Sequence, residues 1–289
     1  MLKIALPNKG RLAEDTRDLF NDAGLDVRVQ SERALTASLG GEFQALFVRS
    51  QDIPEFVADG AADAGVTGLD LVRESGRALD TLLDLEFGQC RLVVAARDES
   101  GIRSLADLNG TARVATSFPR LAQEFFAGAG KHVEIVPVSG SAEIAPHLGI
   151  ADVVVDLTST GSTLRVNGLV EIATVLTSTA QLIAARGAAA AAAGAARRPL
   201  GDLVAALTSV LRARGQRYVM ANVPRPALAG VRRVLPGLNG PTVVDILDGG
   251  AMVAVHAVVA ADAIYRTIAD LKALGAEGIL VTRIERLMP

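Results

Sequence analysis

Tryptophan is absent from this 289-residue chain, aromatic residues make up 3% of it, and there is one cysteine. Half of the residues are nevertheless hydrophobic. The core must therefore be built from Ala, Val, Leu and Ile, a composition that suits layered α/β packing. A single cysteine excludes a disulfide framework or a cysteine-based zinc site within one chain. The three histidines, His132, His147 and His256, are scattered without metal-ligand spacing and read as surface or packing residues. Cys90 precedes the apolar run 92–96, so burial at the start of a strand fits it better than a nucleophilic role. Lys plus Arg is 29 and Asp plus Glu is 32, a net charge of -3. That balance gives no nucleic-acid footprint, while leaving room for a local basic pocket that takes a phosphorylated small molecule. No run is apolar and long enough to span a bilayer. Pro7, Asn8 and Lys9 interrupt the first strand-like segment too early for a signal peptide, so a cytoplasmic protein is expected. The Ala-rich run 188–196, broken by Gly194, reads as a helix or linker.

What is present is a strand–loop–helix rhythm in a chain long enough for two or three domains. Segments 2–6, 45–48 and 62–66 read as strands, each followed by a loop and a helical pattern. Leu12, Thr16, Leu19, Phe20 and Ala23 recur at helical spacing, and Pro54 suits the first turn of a helix. A second series starts near Arg91, with strands at 92–96, 112–115, 133–138 and 152–156 and short helices at 104–108 and after Gly140. The run 170–184 then carries the chain back. This predicts two α/β lobes with a cleft between them and ligands at the strand ends, as in bilobal solute-binding folds. The tail has a different order: strand 218–223, helix 227–235, strand 242–247, a hairpin signal at Asp248-Gly249-Gly250, strand 251–258, a helix with Ile264, Ile268, Leu271 and Leu274 on one face, and strand 278–284. That βαββαβ order predicts a ferredoxin-like (ACT-like) module.

The strongest chemical signal is Ala151-Asp152-Val153-Val154-Val155-Asp156-Leu157-Thr158-Ser159-Thr160-Gly161-Ser162-Thr163-Leu164. Three valines make a buried strand with an acidic residue at each end. A loop of small hydroxyl residues around Gly161 then leads into a short helix, a ready anion site. Gly161 would let the backbone approach a phosphate without an intervening Cβ. Asp156 stands where a carboxylate can accept hydrogen bonds from sugar hydroxyls. The plainer alternative is a strand, a Ser/Thr turn and an N-cap, but the acidic strand and the Thr-Gly-Ser-Thr order together favour phosphate and ribose.

This segment resembles the phosphoribosyl pyrophosphate loop of phosphoribosyltransferases, and is closest to that of the ATP phosphoribosyltransferase family, including Leu164 and the nearby Asn167-Gly168. Ala5-Leu6-Pro7-Asn8-Lys9-Gly10-Arg11-Leu12, Arg49-Ser50-Gln51-Asp52-Ile53-Pro54, Gly65-Val66-Thr67-Gly68-Leu69-Asp70, Cys90-Arg91-Leu92 and Gly140-Ser141-Ala142-Glu143 are similar to other motifs of the same family. The resemblance covers the chain and extends to the tail of the long, self-regulated form. It implies a bilobal periplasmic-binding-protein-like catalytic core, with lobe 1 at 1–89 completed by 176–211 and lobe 2 at 90–175. It also implies a regulatory histidine-binding domain at 212–289. Condensation of ATP with phosphoribosyl pyrophosphate, dependence on Mg2+, feedback inhibition by histidine and a homo-hexamer built from dimers follow as expectations.

The other motifs agree physically. Lys9 and Arg11 flank Gly10 between a strand and a helix, where pyrophosphate and triphosphate need positive charge; alone, they would read as two solvated cations. Arg49 directly follows a buried strand. Thr67-Gly68 offers a close backbone approach or an ordinary turn, and Asp70 a helix cap or a ligand. Glu143 suits a helix N-terminus. Thr158, Ser159, Thr160, Gly161, Ser162 and Thr163 are expected to hold the 5-phosphate. Asp156 and Asp152 are expected to address the ribose hydroxyls or the metal shell. The resemblance carries the effector pocket onto Asn222, Leu238, Gly240, Thr242 and Gly278. Two rival readings are a non-catalytic bilobal small-molecule-binding protein and a base-salvage phosphoribosyltransferase, whose usual topology lacks two lobes and this tail.

Overall fold

Val153, Val154 and Val155 are each fully buried at the centre of a sheet covered on both faces. That is what a run of β-branched residues without polar alternation requires. Their strand, β9 (Val153–Thr158), runs parallel to β7 (Ala112–Thr116) and antiparallel to β6 (Cys90–Arg97). With β8 (Val133–Pro137) and β10 (Leu169–Ser178) the order is β10-β6-β9-β7-β8. Helix α4 (Pro119–Gly128) buries Leu121, Ala122 and Phe126 against one face of this sheet. Helix α5 (Ser162–Val166) covers the other through Leu164. Each fully buried Leu or Phe side chain of this kind contributes about 1.5–3 kcal/mol.

The computed structural model describes residues 1–27, 34–189, 199–247 and 250–288 and divides into two units, Met1–Val204 and Ala205–Pro289. The valine sheet is one half of the first unit. The other half is a six-stranded sheet, β2-β3-β1-β4-β11-β5, made of β1 (Leu2–Pro7), β2 (Thr36–Ser38), β3 (Phe43–Val48), β4 (Ala64–Gly68), β5 (Leu79–Asp84) and β11 (Ala180–Ala185). Strands β3, β1 and β4 are parallel, and β11 is antiparallel to both its neighbours. Helix α1 (Arg11–Asp22) buries Leu12, Ala13, Thr16, Leu19 and Phe20, one face at helical spacing. Helix α2 (Ile53–Ala58) begins with Pro54 in its first turn, as expected, and α3 (Leu69–Ser75) follows β4 directly. The chain leaves this lobe at 85–89 and returns at Thr179, which separates β10 in one sheet from β11 in the other. Two α/β lobes with two crossings are the bilobal core that the sequence predicts.

In the second unit, helix α6 (Pro199–Ala213) leads to β12 (Gln216–Pro224), α7 (Leu228–Val234), β13 (Thr242–Asp245), β14 (Met252–Ala260), α8 (Ile264–Ala273) and β15 (Glu277–Arg283). The sheet order β13-β14-β12-β15, antiparallel throughout, is the ferredoxin-like βαββαβ arrangement. Val219, Ala221, Val223, Val253 and Val255 face Val231, Leu235 and Leu271 of the two helices. Strands β13 and β14 pair as a hairpin, but Asp248 and Gly249 of the expected turn lie outside the described residues. So does most of the Ala-rich run, at 190–198.

Some elements differ from the sequence reading. The stretches near 104–108 and after Gly140 form single 3-10 turns, Leu105–Asp107 and Ala142–Ile144, rather than helices. The helix expected at 227–235 is present as α7, with an additional 3-10 turn, Arg225–Ala227, before it. Strands β2 and β5, at the two edges of their sheet, are not apparent from the pattern. Among the described residues no helix is long and apolar enough to cross a membrane.

Candidate functional site

The parallel strands of both lobes point their C-terminal ends at one cavity of about 600 Å³. From the first lobe come the loop after β1 (Asn8, Lys9, Gly10, Arg11), the loop after β3 (Arg49, Ser50, Gln51) and the β4–α3 junction (Gly68, Asp70, Leu71). From the second come Ser117 and Phe118 after β7, and Asp156 and Leu157 on β9. Lys9, Arg11, Arg49, Gly68, Asp70 and Asp156 are thus brought together as the sequence reading expects. Three cations and two carboxylates line a space large enough for a nucleotide-sized ligand.

Arg11 is the most constrained cation. It starts α1 in the first lobe, yet its guanidinium donates to Ser159 Oγ in the second at 3.0 Å. It also reaches Cys90 Sγ at 3.2 Å and the Gln89 carbonyl at 3.3 Å. Cys90 is buried, as expected, and its contact with Arg11 fixes the direction of that side chain.

The hydroxyl loop begins where Leu157 leaves the cavity. Buried Thr158 accepts the Gly161 N–H on its Oγ1 at 2.8 Å, closing the turn. Thr160 Oγ1 and Ser162 Oγ are 2.9 Å apart, and the Arg165 guanidinium donates to the Thr160 carbonyl at 3.1 Å. Thr160, Ser162 and Thr163 are exposed. Gly161 has φ +74°, and a Cβ there would lie 2.9 Å from Arg165 Nη1 and 3.1 Å from Glu171 Oε1. Its left-handed backbone conformation favours glycine, a reason independent of the phosphate clearance that the sequence reading invokes.

Asp156 is acidic wall and buried group at once. Burial pushes its carboxyl above the ordinary value, the nearby Glu143 carboxylate pushes the same way, and the Leu157 N–H, donating at 2.7 Å, opposes both. Glu143 lies in the 3-10 turn at Ala142–Ile144, near enough for its carboxylate to act on Asp156.

Thr67 and Asp152 sit outside the cavity lining, and Gly68 and Asp70 pack against each other within it. Thr67 is fully buried and donates to the Ser50 carbonyl at 2.8 Å, so it fastens the β3 loop beneath the cavity. The Cβ direction of Gly68 is filled by the Asp70 carboxylate, which accepts from Ser178 Oγ at 2.5 Å. Asp152 stands at the opposite end of β9 from Asp156, about 13 Å away at a strand's rise per residue. There it accepts the Arg113 amide at 2.8 Å and its guanidinium at 3.1 Å. Burial pushes the Asp152 carboxyl up, but these Arg113 bonds outweigh it and hold the group below its ordinary value. The strand's length separates Asp152 from the cavity, and its place is with Arg113. Asn8, Ser50 and Gln51, quoted only as parts of motifs, and Ser117 and Phe118, outside them, also line the cavity. The signal that finds them is the rule that ligands sit at the C-terminal ends of parallel strands.

In the second unit, Asn222 on β12 and Gly278 on β15 are neighbours, with a Cβ at Gly278 3.5 Å from Asn222 Nδ2. Leu238 and Gly240 precede Thr242 at the start of β13, beyond β14. Thr242 pairs with His256 and Asn222 with Ala254, so both side chains face away from α7 and α8. Two strand spacings, about 10 Å, lie between them.

Comparison with known proteins follows the same division. The family model described as ATP phosphoribosyltransferase matches residues 49–209, and that described as HisG, C-terminal domain, matches 213–286. An ATP phosphoribosyltransferase of Gemmatimonas aurantiaca is 70% identical over all of both chains. One of Methanocella arvoryzae is 46% identical, also over all of both. Among solved structures, the ATP phosphoribosyl transferase (HisG:HisZ) complex from Thermotoga maritima has a chain 31% identical with a TM-score of 0.57, covering 64% of this chain and 87% of its own.

Proposed function

Because the chain belongs to the ATP phosphoribosyltransferase family, we propose that the two-lobed cavity is where ATP meets phosphoribosyl pyrophosphate. The reaction is the first step of histidine biosynthesis. The lone pair on adenine N1 forms a bond to ribose C1, and the C1–O bond breaks with its electrons leaving on pyrophosphate. Adenine N1 carries no proton, so no strong general base is required. A non-catalytic binding protein is disfavoured by full-length relatives that are named as enzymes.

The observation that carries this reading is one cavity lined by Lys9, Arg11, Arg49 and Asp156 from two lobes, with the hydroxyl loop continuing from Leu157. The work of the protein is to position two anionic substrates and to stabilise charge as it leaves. The loop from Thr158 to Thr163 holds the 5-phosphate with backbone and hydroxyl donors. Arg11, already directed at Ser159, stands beside it, and Asp156 accepts from the ribose hydroxyls. Lys9 and Arg49 meet the triphosphate and the departing pyrophosphate. Arg49→Ala should then weaken ATP binding about tenfold while changing AMP binding less than about threefold, because the missing guanidinium faces the distal phosphates. Calorimetry giving equal weakening of both nucleotides rejects that placement.

The donor set fits Mg2+. Asp156, whose pKa is raised first by burial and then by the Glu143 carboxylate, has that second carboxylate close by. Among the described residues no cluster of three or more ligands offers an all-protein cage. Asp156 and Glu143 would hold Mg2+, with substrate phosphates and water supplying the remaining ligands, and the ion would provide positive charge for the departing pyrophosphate.

The second unit is proposed to sense histidine and the enzyme to work as a homo-hexamer built from dimers. Asn222, Gly278 and Thr242, with Leu238 and Gly240 beside Thr242, supply the polar groups and clearance for an amino acid. An effector bound there inhibits by preferring one conformational state, without simple competition with ATP. Thr242→Val should raise the half-inhibitory histidine concentration about tenfold, the size of one lost hydrogen bond, and leave uninhibited turnover within about twofold. An unchanged histidine titration removes Thr242 from the pocket.

A further inference from the structure

Helix α3 belongs to the first lobe, joining β4 to β5 and burying Val72 in that lobe's core, but two of its other side chains reach the second. Leu71 packs against the second lobe's core around Phe118, Leu121 and Phe126. Glu74 reaches the start of α4. Its Oε1 accepts the Arg120 N–H and its Oε2 the Leu121 N–H, both at 2.9 Å. These amides belong to the second and third residues of α4, the donors an N-cap Ser or Asp would satisfy. The residue at the N-cap is Phe118, which has no side-chain acceptor and makes no cap bond. In return, the Arg120 guanidinium lies where a Cβ on Gly76 would be, at the C-terminal end of α3. A carboxylate from one lobe thus closes the positive end of a helix in the other, while the Arg120 guanidinium, paired with Glu124 at 2.9 Å, packs against the end of α3.

We propose that Glu74 is a positioning residue for the reaction: as an N-cap supplied across the lobes, it sets where Ser117 and Phe118 stand opposite Leu71 in the cavity. All three line that cavity. Phe118 is further pinned by its own N–H, which donates to buried Thr116 Oγ1 at 2.9 Å. On the far side of the β7–α4 loop, Glu74 anchors the first turn of α4. This inference rests on the cavity being the substrate site. Two readouts separate its failure from failure of that reading.

The full-length Glu74→Ala and Glu74→Gln variants are compared with the unaltered chain. Amide hydrogen exchange in the substrate-free protein reads the cap directly. It should quicken about tenfold at Arg120 and Leu121 in Glu74→Ala, and less in Glu74→Gln, which keeps one acceptor. Steady-state kinetics reads the positioning. The KM of at least one of the two substrates should rise about fivefold or more, while kcat at saturation stays within about twofold, because Glu74 touches no reacting atom. Unchanged exchange overturns the cap across the lobes. Quickened exchange with both KM values unchanged overturns the positioning role and leaves a cap that serves stability. Should Glu74→Ala fail to fold, Glu74→Gln decides the same points at smaller amplitude.

Discussion

Asp156→Asn should lower kcat/KM for phosphoribosyl pyrophosphate about 10- to 150-fold while leaving the melting temperature unchanged or raised. The two effects have one cause. The folded protein raises the Asp156 pKa through burial and the Glu143 carboxylate. A carboxyl whose folded pKa exceeds its unfolded value opposes folding once the pH is high enough to ionise it, and the opposition vanishes as the pH falls and the proton returns. Once ionised, the group is therefore a stability cost, borne where it can accept from sugar hydroxyls or share a cation with Glu143. Asparagine has the same shape and no charge. Its Oδ1 can keep the Leu157 N–H bond seen at 2.7 Å, and its Nδ2 can donate to Glu143. The substitution removes the electrostatic penalty along with the charge-assisted bond to substrate, worth about 1.5–3 kcal/mol. Thermal melts between pH 5 and 8 beside initial rates at saturating ATP test both. The stabilisation should be largest at the upper end of that range. A destabilised variant with near-normal turnover means that Asp156 is a structural residue.

The sequence was legible where local pattern and tertiary role coincide. The valine run of β9 is hydrophobic without alternation because helices cover both faces of its sheet, and it reads as a buried strand. Lys9, Arg11 and Arg49 follow strands directly, so the rule about strand C-termini finds them. Asp152 and Asp156 look equivalent as the two acidic ends of one strand. A strand has a direction, however, and only its C-terminal end faces the cavity, so Asp152 is left to Arg113. Thr67 and Gly68 carry the right turn chemistry, but the Thr67 hydroxyl is committed to the Ser50 carbonyl, a partner 17 residues away that no local pattern announces. Strand β5 was hidden because Asp80, Thr81 and Asp84 break its apolar pattern. Glu74 shows the same limit: it lies in an ordinary helical sequence, and its function depends on amides 46 and 47 residues further along the chain.

Gly161→Val should abolish phosphoribosyl pyrophosphate binding in a protein that otherwise folds, whereas Gly161→Asn should keep affinity within about tenfold. The contrast separates two reasons for a glycine. If the loop needs it because a phosphate must approach the backbone, any side chain obstructs and both variants fail. The geometry points to the other reason. Gly161 has φ +74°, and its missing Cβ points at Arg165 and Glu171. Both are ends of flexible side chains that can give a few tenths of an ångström. The backbone conformation cannot be relieved so easily. A left-handed residue costs an ordinary L side chain about 1–2 kcal/mol, a β-branched one is a genuine outlier there, and Asn tolerates it through local hydrogen bonding. Valine would pull the turn out of shape, break the Gly161 N–H bond to Thr158 Oγ1 and scatter the donors of the anion site. The rest of the sheet would stay intact, because the buried strand precedes the loop and Leu164 still anchors α5. Calorimetry with phosphoribosyl pyrophosphate, with circular dichroism as the control on folding, gives the answer. Equal loss in both variants restores phosphate clearance as the reason for Gly161, and retained affinity in Gly161→Val takes the loop out of the substrate site.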